Sequence, residues 1–422
     1  MQSVGPATMF RSVPRTGVIY VMTEAAERGF HYGHPAWCNL GQGAPETGML
    51  PGCAPRLSHV DLDDVSSEYA PVAGLGELRE AVAELYNQRY RRGMPTRYSA
   101  ENVAIAAGGR TGLTRLATAL GNVNLGHVLP DYTAYEELLE VFRAFVPIPI
   151  VLREADGFYL DPASLRDEIV GSGLGALLLS NPCNPTGRLI AGDDLAAWVA
   201  TAREFGCALI LDEFYAHYLY GEGSPRSVSA CAYVEDVDRD PVVVVDGLTK
   251  NWRYPGLRLS WTVGPKAVIE RVASAGSFLD GGAPHCLQKA ALPLVDAGLA
   301  DREALAIQQA FAIKRELMLG RLGELGIRVV GGERGGPEGA FYCFADLRGL
   351  APSLADGMSF FKQALERQVI CVPGVFFDVD PGKRRGHIPS RLSGFVRLSF
   401  GPEREQVERG LDRIAAMVHE AV

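Results

Sequence analysis

Short apolar runs alternate with longer stretches of helical period along most of the chain. Residues 102–107, 176–180, 207–211 and 242–245 are nearly continuous apolar runs bounded by polar or turn-forming residues. Runs of that length without alternation fit strands buried on both faces, as in a mostly parallel sheet. Between them, residues 112–120, 135–145 and 192–205 repeat apolar positions with a helical period. Strand–helix–strand alternation predicts an α/β architecture, a mostly parallel central sheet flanked by helices. Residues 258–263 read as one more strand. The connection from the 242–245 strand is too short for a helical crossover, so the pair is predicted to be antiparallel.

The two ends of the chain read differently. Residues 1–55 are rich in Gly and Pro. From about Glu303 an amphipathic helix is expected to run to Leu325. A strand over 327–330, a Gly-rich gap, a strand over 341–346, a helix near 359–367 and a strand over 397–400 follow. The expected organisation is a large α/β domain over 56–302. A smaller α+β domain is built from both termini, 1–55 plus 303–422.

Composition narrows the function. The chain has 422 residues and a net charge of −9, against a binder of duplex nucleic acid driven by phosphate neutralisation. Residues 1–38 are also too short for a helix-turn-helix ahead of the main domain. The longest unbroken apolar runs, 195–200 and 340–345, fall far short of a membrane span. No charged segment followed by an apolar one opens the chain, so no signal peptide is expected. The 8 cysteines are scattered without a CxxC pair. That pattern gives no support to a zinc site and fits reduced thiols in a cytoplasmic protein. The basic residues are nearly all Arg. Each rare Lys is therefore worth inspection, because Arg cannot replace a catalytic Lys.

Open α/β sheets bind ligands at the carboxyl ends of their strands. The 102–107 strand leads into Gly108-Gly109-Arg110-Thr111-Gly112. The 176–180 strand leads into Asn181-Pro182-Cys183-Asn184-Pro185-Thr186-Gly187. The 207–211 strand leads into Asp212-Glu213-Phe214-Tyr215, and the 242–245 strand into Asp246-Gly247-Leu248-Thr249-Lys250. One sheet edge thus collects a glycine-rich helix start, an amide, a carboxylate with a phenol, and an amine. Backbone N–H groups at the helix start suit a phosphate. Lys250 suits imine formation with an aldehyde once burial or nearby positive charge deprotonates it. Asp212 suits a ring nitrogen that must stay protonated. Asn184 and Tyr215 suit a phenolate oxygen. Pyridoxal 5′-phosphate meets all these demands.

At these residues the chain resembles the fold-type I aminotransferases of class I/II, a group that includes aspartate, kynurenine and aromatic aminotransferases and aminocyclopropane-carboxylate synthases. Further matching pieces are Asn39 to Pro45, Tyr69-Ala70-Pro71 with Gly74, Thr249-Lys250 with Gly256 and Arg258, and Val396-Arg397-Leu398-Ser399. They run in the family's order over nearly the whole chain. The resemblance implies a homodimer that moves an amino group between an L-amino acid and a 2-keto acid, with Lys250 as the Schiff-base lysine and proton shuttle. It implies that Asp212 partners the pyridinium nitrogen, that Tyr215 and Asn184 hold the phenolate oxygen, and that Tyr132 stacks on the ring. Thr249, Arg258 and the amides of Gly108, Gly109 and Arg110 resemble the phosphate clamp. Arg397 resembles the arginine for the substrate α-carboxylate, with Gly43 approaching from the N-terminal segment. Tyr69 resembles the tyrosine that reaches the neighbouring subunit's phosphate.

Elimination or substitution at Cγ, or oxidation by O₂, could share these motifs, because they serve the cofactor and not the substrate side chain. The family usually has Ser where this chain has Gly247. Arg110 stands where a small or hydroxyl residue is common, either replacing that hydroxyl or reaching toward substrate. Of the remaining candidates, His285 reads as a loop histidine. Trp252 and Tyr254 read as packing for the turn after Lys250, and the resemblance places Phe376 or Phe377 at the substrate pocket.

Overall fold

The structure, a computed structural model, describes residues 15, 17–142, 144–221, 223–331 and 335–421. A short first strand, β1 (Cys38–Asn39), precedes the central elements. These comprise β2 (Val103–Ala106), β3 (Asn124–Leu129), β4 (Val146–Val151), β5 (Leu174–Ser180), β6 (Ala208–Asp212), β7 (Val242–Gly247) and β8 (Ser260–Val263). They form one seven-stranded sheet in the order β2-β8-β7-β6-β5-β3-β4. From β4 through β7 every neighbouring pair is parallel; β8 runs antiparallel to both β7 and β2. The expected antiparallel strand is therefore present, inserted between β7 and β2. Every residue of β2, β7 and β8 is buried, including Asp246, Ser260 and Thr262 among their mostly apolar positions.

Five strands follow: β9 (Arg328–Val329), β10 (Tyr342–Asp346), β11 (Val369–Ile370), β12 (Val372–Pro373) and β13 (Phe395–Ser399). Strands β12, β13, β10 and β9 make an antiparallel sheet in that order. Strand β1 pairs in parallel with β11, tying the N-terminal segment to the C-terminal one.

Some elements depart from the sequence expectation. β3 and β4 were not expected. β4 reads Val-Pro-Ile-Pro-Ile-Val and lies at the sheet edge, where prolines cost no ladder hydrogen bond. The helix expected over 135–145 stops at Val141 because the chain must turn into β4. The long helix, Ala297–Glu324, starts earlier than expected; the Asp296 carboxylate caps it by accepting from the Leu299 amide at 2.9 Å. The Gly/Pro-rich N-terminal stretch contains a helix, Gly17–Glu27.

Helices Gly109–Ala119 and Lys266–Leu279 pack together beside β2, while Pro162–Ser172 packs with Gly192–Phe205. The helix Gly109–Ala119 opens directly after β2, so its first turn meets the carboxyl ends of β5, β6 and β7.

Candidate active site

A cleft of about 440 Å³ lies at that edge. It is lined by Gly43, Gly109, Arg110, Tyr132, Asn184, Asp212, Tyr215, Thr249, Lys250, Arg258 and Arg397, most of the residues singled out in the sequence. Ser180 at the end of β5 stands in register with Asp212 at the end of β6, which places the amide-bearing turn beside the carboxylate.

Asp212 is buried. Its Oδ2 accepts from Tyr135 Oη at 3.0 Å. Burial raises its pKa to about 6, against the pull of the Tyr135 bond and of Lys250. Lys250 reaches into the cleft from just past β7, and its Nζ donates to the Gly43 carbonyl. Burial, then the charges of Arg397, Arg258 and Arg110, lower its pKa to about 7. The side chain thus has a neutral, nucleophilic form at ordinary pH.

The glycine-rich turn is shaped for an oxyanion. Gly108 has φ +91°, and a Cβ there would collide with the Arg258 guanidinium. A Cβ at Gly109 would lie 2.6 Å from the Phe214 ring. Thr249 Oγ1 is buried and has no partner among the described residues. Arg110 turns its Nε and Nη2 onto Tyr132 Oη at 3.2 and 3.1 Å. It therefore braces the residue expected to stack on the ring.

On the opposite wall Arg397 rises from the middle of β13, fully buried. Its Nη1 donates to Asn184 Oδ1 at 2.7 Å and its Nη2 to the Gly41 carbonyl, while its Nε has no partner among the described residues. Tyr215 Oη lies 2.7 Å from Tyr342 Oη, and burial raises both phenols' pKa values, that of Tyr342 to about 12.

The aminotransferase class I and II family model matches residues 35–414. The chain belongs to the aminotransferase class I and II family. An aspartate/prephenate aminotransferase of Thermus thermophilus is 29% identical over 84% of each chain. A valine–pyruvate aminotransferase of Mycobacterium tuberculosis is 28% identical over 96% of each. The solved structure of Thermus thermophilus aspartate aminotransferase with maleate covers 99% of this chain and all of its own, at 25% identity and a TM-score of 0.76. The protein is a pyridoxal 5′-phosphate-dependent aminotransferase of the type I fold.

The residues of this aminotransferase fit that cofactor. The orphaned Thr249 hydroxyl, the Gly108 turn against Arg258, the buried Asp212 and the deprotonatable Lys250 are complementary to a phosphate, a ring nitrogen and an aldehyde.

Gly247 accounts for one departure from the family pattern. It ends β7 opposite Ser260, and a Cβ there would lie 2.5 Å from the Leu259 carbonyl oxygen and 2.6 Å from Ser260 Cα. Backbone occupies the space a serine would need.

Not every candidate is in the cleft. Tyr69 is 96% exposed and outside it. His285 is also outside, its Nδ1 3.2 Å from the Glu68 carbonyl. Phe376 packs on Tyr20 with ring centroids 5.5 Å apart, and Phe377 lies beneath Arg397 at 5.0 Å. Trp252 packs on Trp261 at 5.2 Å, and Tyr254 Oη accepts from the Leu57 amide at 2.6 Å, as expected of turn residues. Sequence reading missed Tyr135 and Tyr342. It also missed an apolar wall of Val18, Ile19 and Met22 from the N-terminal helix. Tyr135 follows Tyr132 by one helical turn, a spacing that could have flagged it. Tyr342 had no signal, because its place in the cleft depends on the β10–β13 pairing.

Proposed function

We propose that Lys250, Asp212 and Arg397 divide the work of transamination between an L-amino acid and a 2-keto acid. The observation that carries the reading is their convergence, with Thr249 and Arg258, on one cleft. When bound, pyridoxal 5′-phosphate supplies an aldehyde and an electron-withdrawing ring that acidifies the Cα–H bond of an attached amino acid. Lys250 would hold the cofactor through its aldehyde carbon and, as a free neutral amine, would take the proton from the substrate Cα and deliver it to that former aldehyde carbon, on the far side of the substrate nitrogen. Asp212 holds the proton on the ring nitrogen. Asn184 and Tyr215 hydrogen-bond the ring oxygen, and Tyr132, braced by Arg110, covers the ring face. Thr249, Arg258 and the amides of Gly108, Gly109 and Arg110 hold the phosphate. Arg397 grips the α-carboxylate and fixes the orientation of the Cα–H bond, with Gly43 closing the N-terminal side.

Two assignments extend this reading. The first is a homodimer in which Tyr69 serves the neighbouring subunit. Its support is the exposed segment carrying Leu62 (73%), Val65 (62%) and Tyr69 (96%), apolar surface that a second copy would cover. The second is a division into 56–302 and 1–55 plus 303–422, supported by the β1–β11 pairing of the two terminal segments. A cytoplasmic setting rests on the eight unpaired cysteines. Among the described residues no helix is long and apolar enough to cross a membrane.

The test is incubation of the holoenzyme with single amino acids and no acceptor. Transamination yields one equivalent of keto acid and stops. Sustained turnover with loss of a group from Cγ would overturn the reading. Borohydride reduction should fix the cofactor on the peptide containing Lys250.

A further inference from the structure

Tyr342 has no part in the reaction set out above, yet it touches both of its halves. It opens β10, is fully buried, and pairs with Ser399 of β13. Its Oη lies 2.7 Å from Tyr215 Oη. The Arg397 guanidinium carbon lies 4.2 Å from the centre of its ring. A Cβ at Gly43 would collide with its hydroxyl, so the N-terminal segment closes a third side. The Tyr215 ring is held edge-on by both Phe341 and Tyr342, at 5.4 and 5.5 Å. Besides Tyr215 and Arg397, the titratable groups that bear on Tyr342 are Tyr132, Asp212 and Tyr218.

Two phenols share one short hydrogen bond, and each has a single proton to give. If Tyr215 donated to Tyr342, it would have none left for the cleft. With Tyr342 as the donor, the Tyr215 proton is directed elsewhere, and a hydroxyl that accepts a hydrogen bond is itself a stronger donor. The ring face meanwhile offers its negative quadrupole to a guanidinium whose Nε has no partner among the described residues.

We propose that Tyr342 is a positioning residue that couples the two ends of the site: its hydroxyl donates to Tyr215 and aims the Tyr215 proton at the cofactor's ring oxygen, while its ring holds Arg397 in place for the α-carboxylate. This rests on the roles of Tyr215 and Arg397 given under Proposed function.

The two roles separate by substitution. Tyr342→Phe removes the hydroxyl and keeps the ring; Tyr342→Leu removes both. The first readout is the pH titration of the holoenzyme's visible absorption band. A weaker Tyr215 donor leaves more negative charge on the ring oxygen, which then holds the neighbouring proton more tightly. The midpoint is expected to move up in both variants, by roughly 0.3–1 pH unit. The second readout is KM for the amino acid giving the most keto acid. It is expected to stay within about twofold of wild type for Phe and to rise roughly tenfold for Leu. An unmoved midpoint in both variants overturns the coupling to Tyr215, and equal KM values for Phe and Leu overturn the coupling to Arg397. Should Lys250→Ala keep the same pH-dependent band as wild type, the underlying reading of the site fails, and the proposal with it.

Discussion

Asn184 and Arg397 are 213 residues apart in the chain, yet Asn184 Oδ1 accepts from Arg397 Nη1 at 2.7 Å. The bond joins the turn after β5 to the middle of β13, so the central sheet and the antiparallel sheet meet at the point assigned to the substrate carboxylate. With Gly41 O holding Nη2, the guanidinium plane is set before any substrate arrives. An arginine fixed in this way offers a carboxylate two parallel bonds.

Arg397→Lys keeps the charge but loses the fork. The expected result is a KM roughly ten- to a hundredfold higher for every amino-acid donor, equivalent to about 1.5–3 kcal/mol for one charge-assisted bond. kcat should change less. Steady-state kinetics with two unrelated donors tests this; a KM that rises for one donor only would move Arg397 to side-chain recognition.

Lys250 gives a pH dependence with a definite sign. Its pKa falls from 10.5 to about 7 in the folded protein. Below about pH 7 the amine is charged in both states, and the folded protein bears the full cost of burying that charge. Between the two pKa values the unfolded chain binds more protons, so stability rises with pH. Cofactor-stripped Lys250→Met should therefore melt above the stripped wild type near about pH 6.5, and the gap should narrow by about pH 9. The rate of cofactor capture by wild type should rise through the same interval, because only the neutral amine adds to an aldehyde. A gap independent of pH would show that the amine is not perturbed.

Thr249→Val should have opposite effects on the two forms of the enzyme. The Thr249 hydroxyl is buried without a partner among the described residues, so removing it spares the cofactor-free protein a desolvation cost of about 1 kcal/mol or more. If Thr249 holds the phosphate as proposed, the same change removes a donor and should weaken cofactor binding roughly tenfold. Melting curves of the stripped protein and equilibrium dialysis of the cofactor read the two effects separately. Lower stability combined with unchanged cofactor affinity would assign Thr249 to packing.

Most of the candidates that line the cleft were legible because they follow strands and lie close together in the sequence, which makes the pattern local. Lys250 with Gly256 and Arg258 is of this kind, as is Asp212 with Tyr215. Arg397, inside β13, was legible only through a family motif, and positions that carry no such motif and depend on pairing between distant strands were not legible. Tyr342 becomes significant only when β10 lies beside β13, and β4 hides its strand character behind two prolines. The missing serine at 247 is the clearest case. In the sequence it reads as a lost phosphate contact; in the structure the Leu259 and Ser260 backbone fills the site.

Restoring that serine should therefore harm the protein. Gly247→Ser would place Cβ 2.5 Å from the Leu259 carbonyl oxygen, and neither strand can give way without breaking the β7–β8 ladder. A loss of about 1–3 kcal/mol, the usual cost of overpacking, is expected in thermal melts. Cofactor affinity should not improve. A stable variant with tighter cofactor binding would show that the strand ends can separate and that the family's hydroxyl can be added back.

Tyr69 decides whether the sites are shared. It is 96% exposed and outside the cleft of its own chain, so any part it plays in catalysis requires a second subunit. Tyr69→Phe should then weaken cofactor retention, and Lys250→Ala should abolish turnover. Mixing the two inactive or weakened proteins tests the geometry directly. In a mixed dimer, one site receives Lys250 from the first subunit and Tyr69 from the second, and so carries neither defect. The other site carries both. If sites are shared, subunit exchange should restore activity toward half that of wild type, and sedimentation should show a dimer at assay concentrations. If each chain builds its own site, mixing restores nothing beyond the sum of the two parents, and Tyr69 is left as an exposed side chain with no role in the reaction.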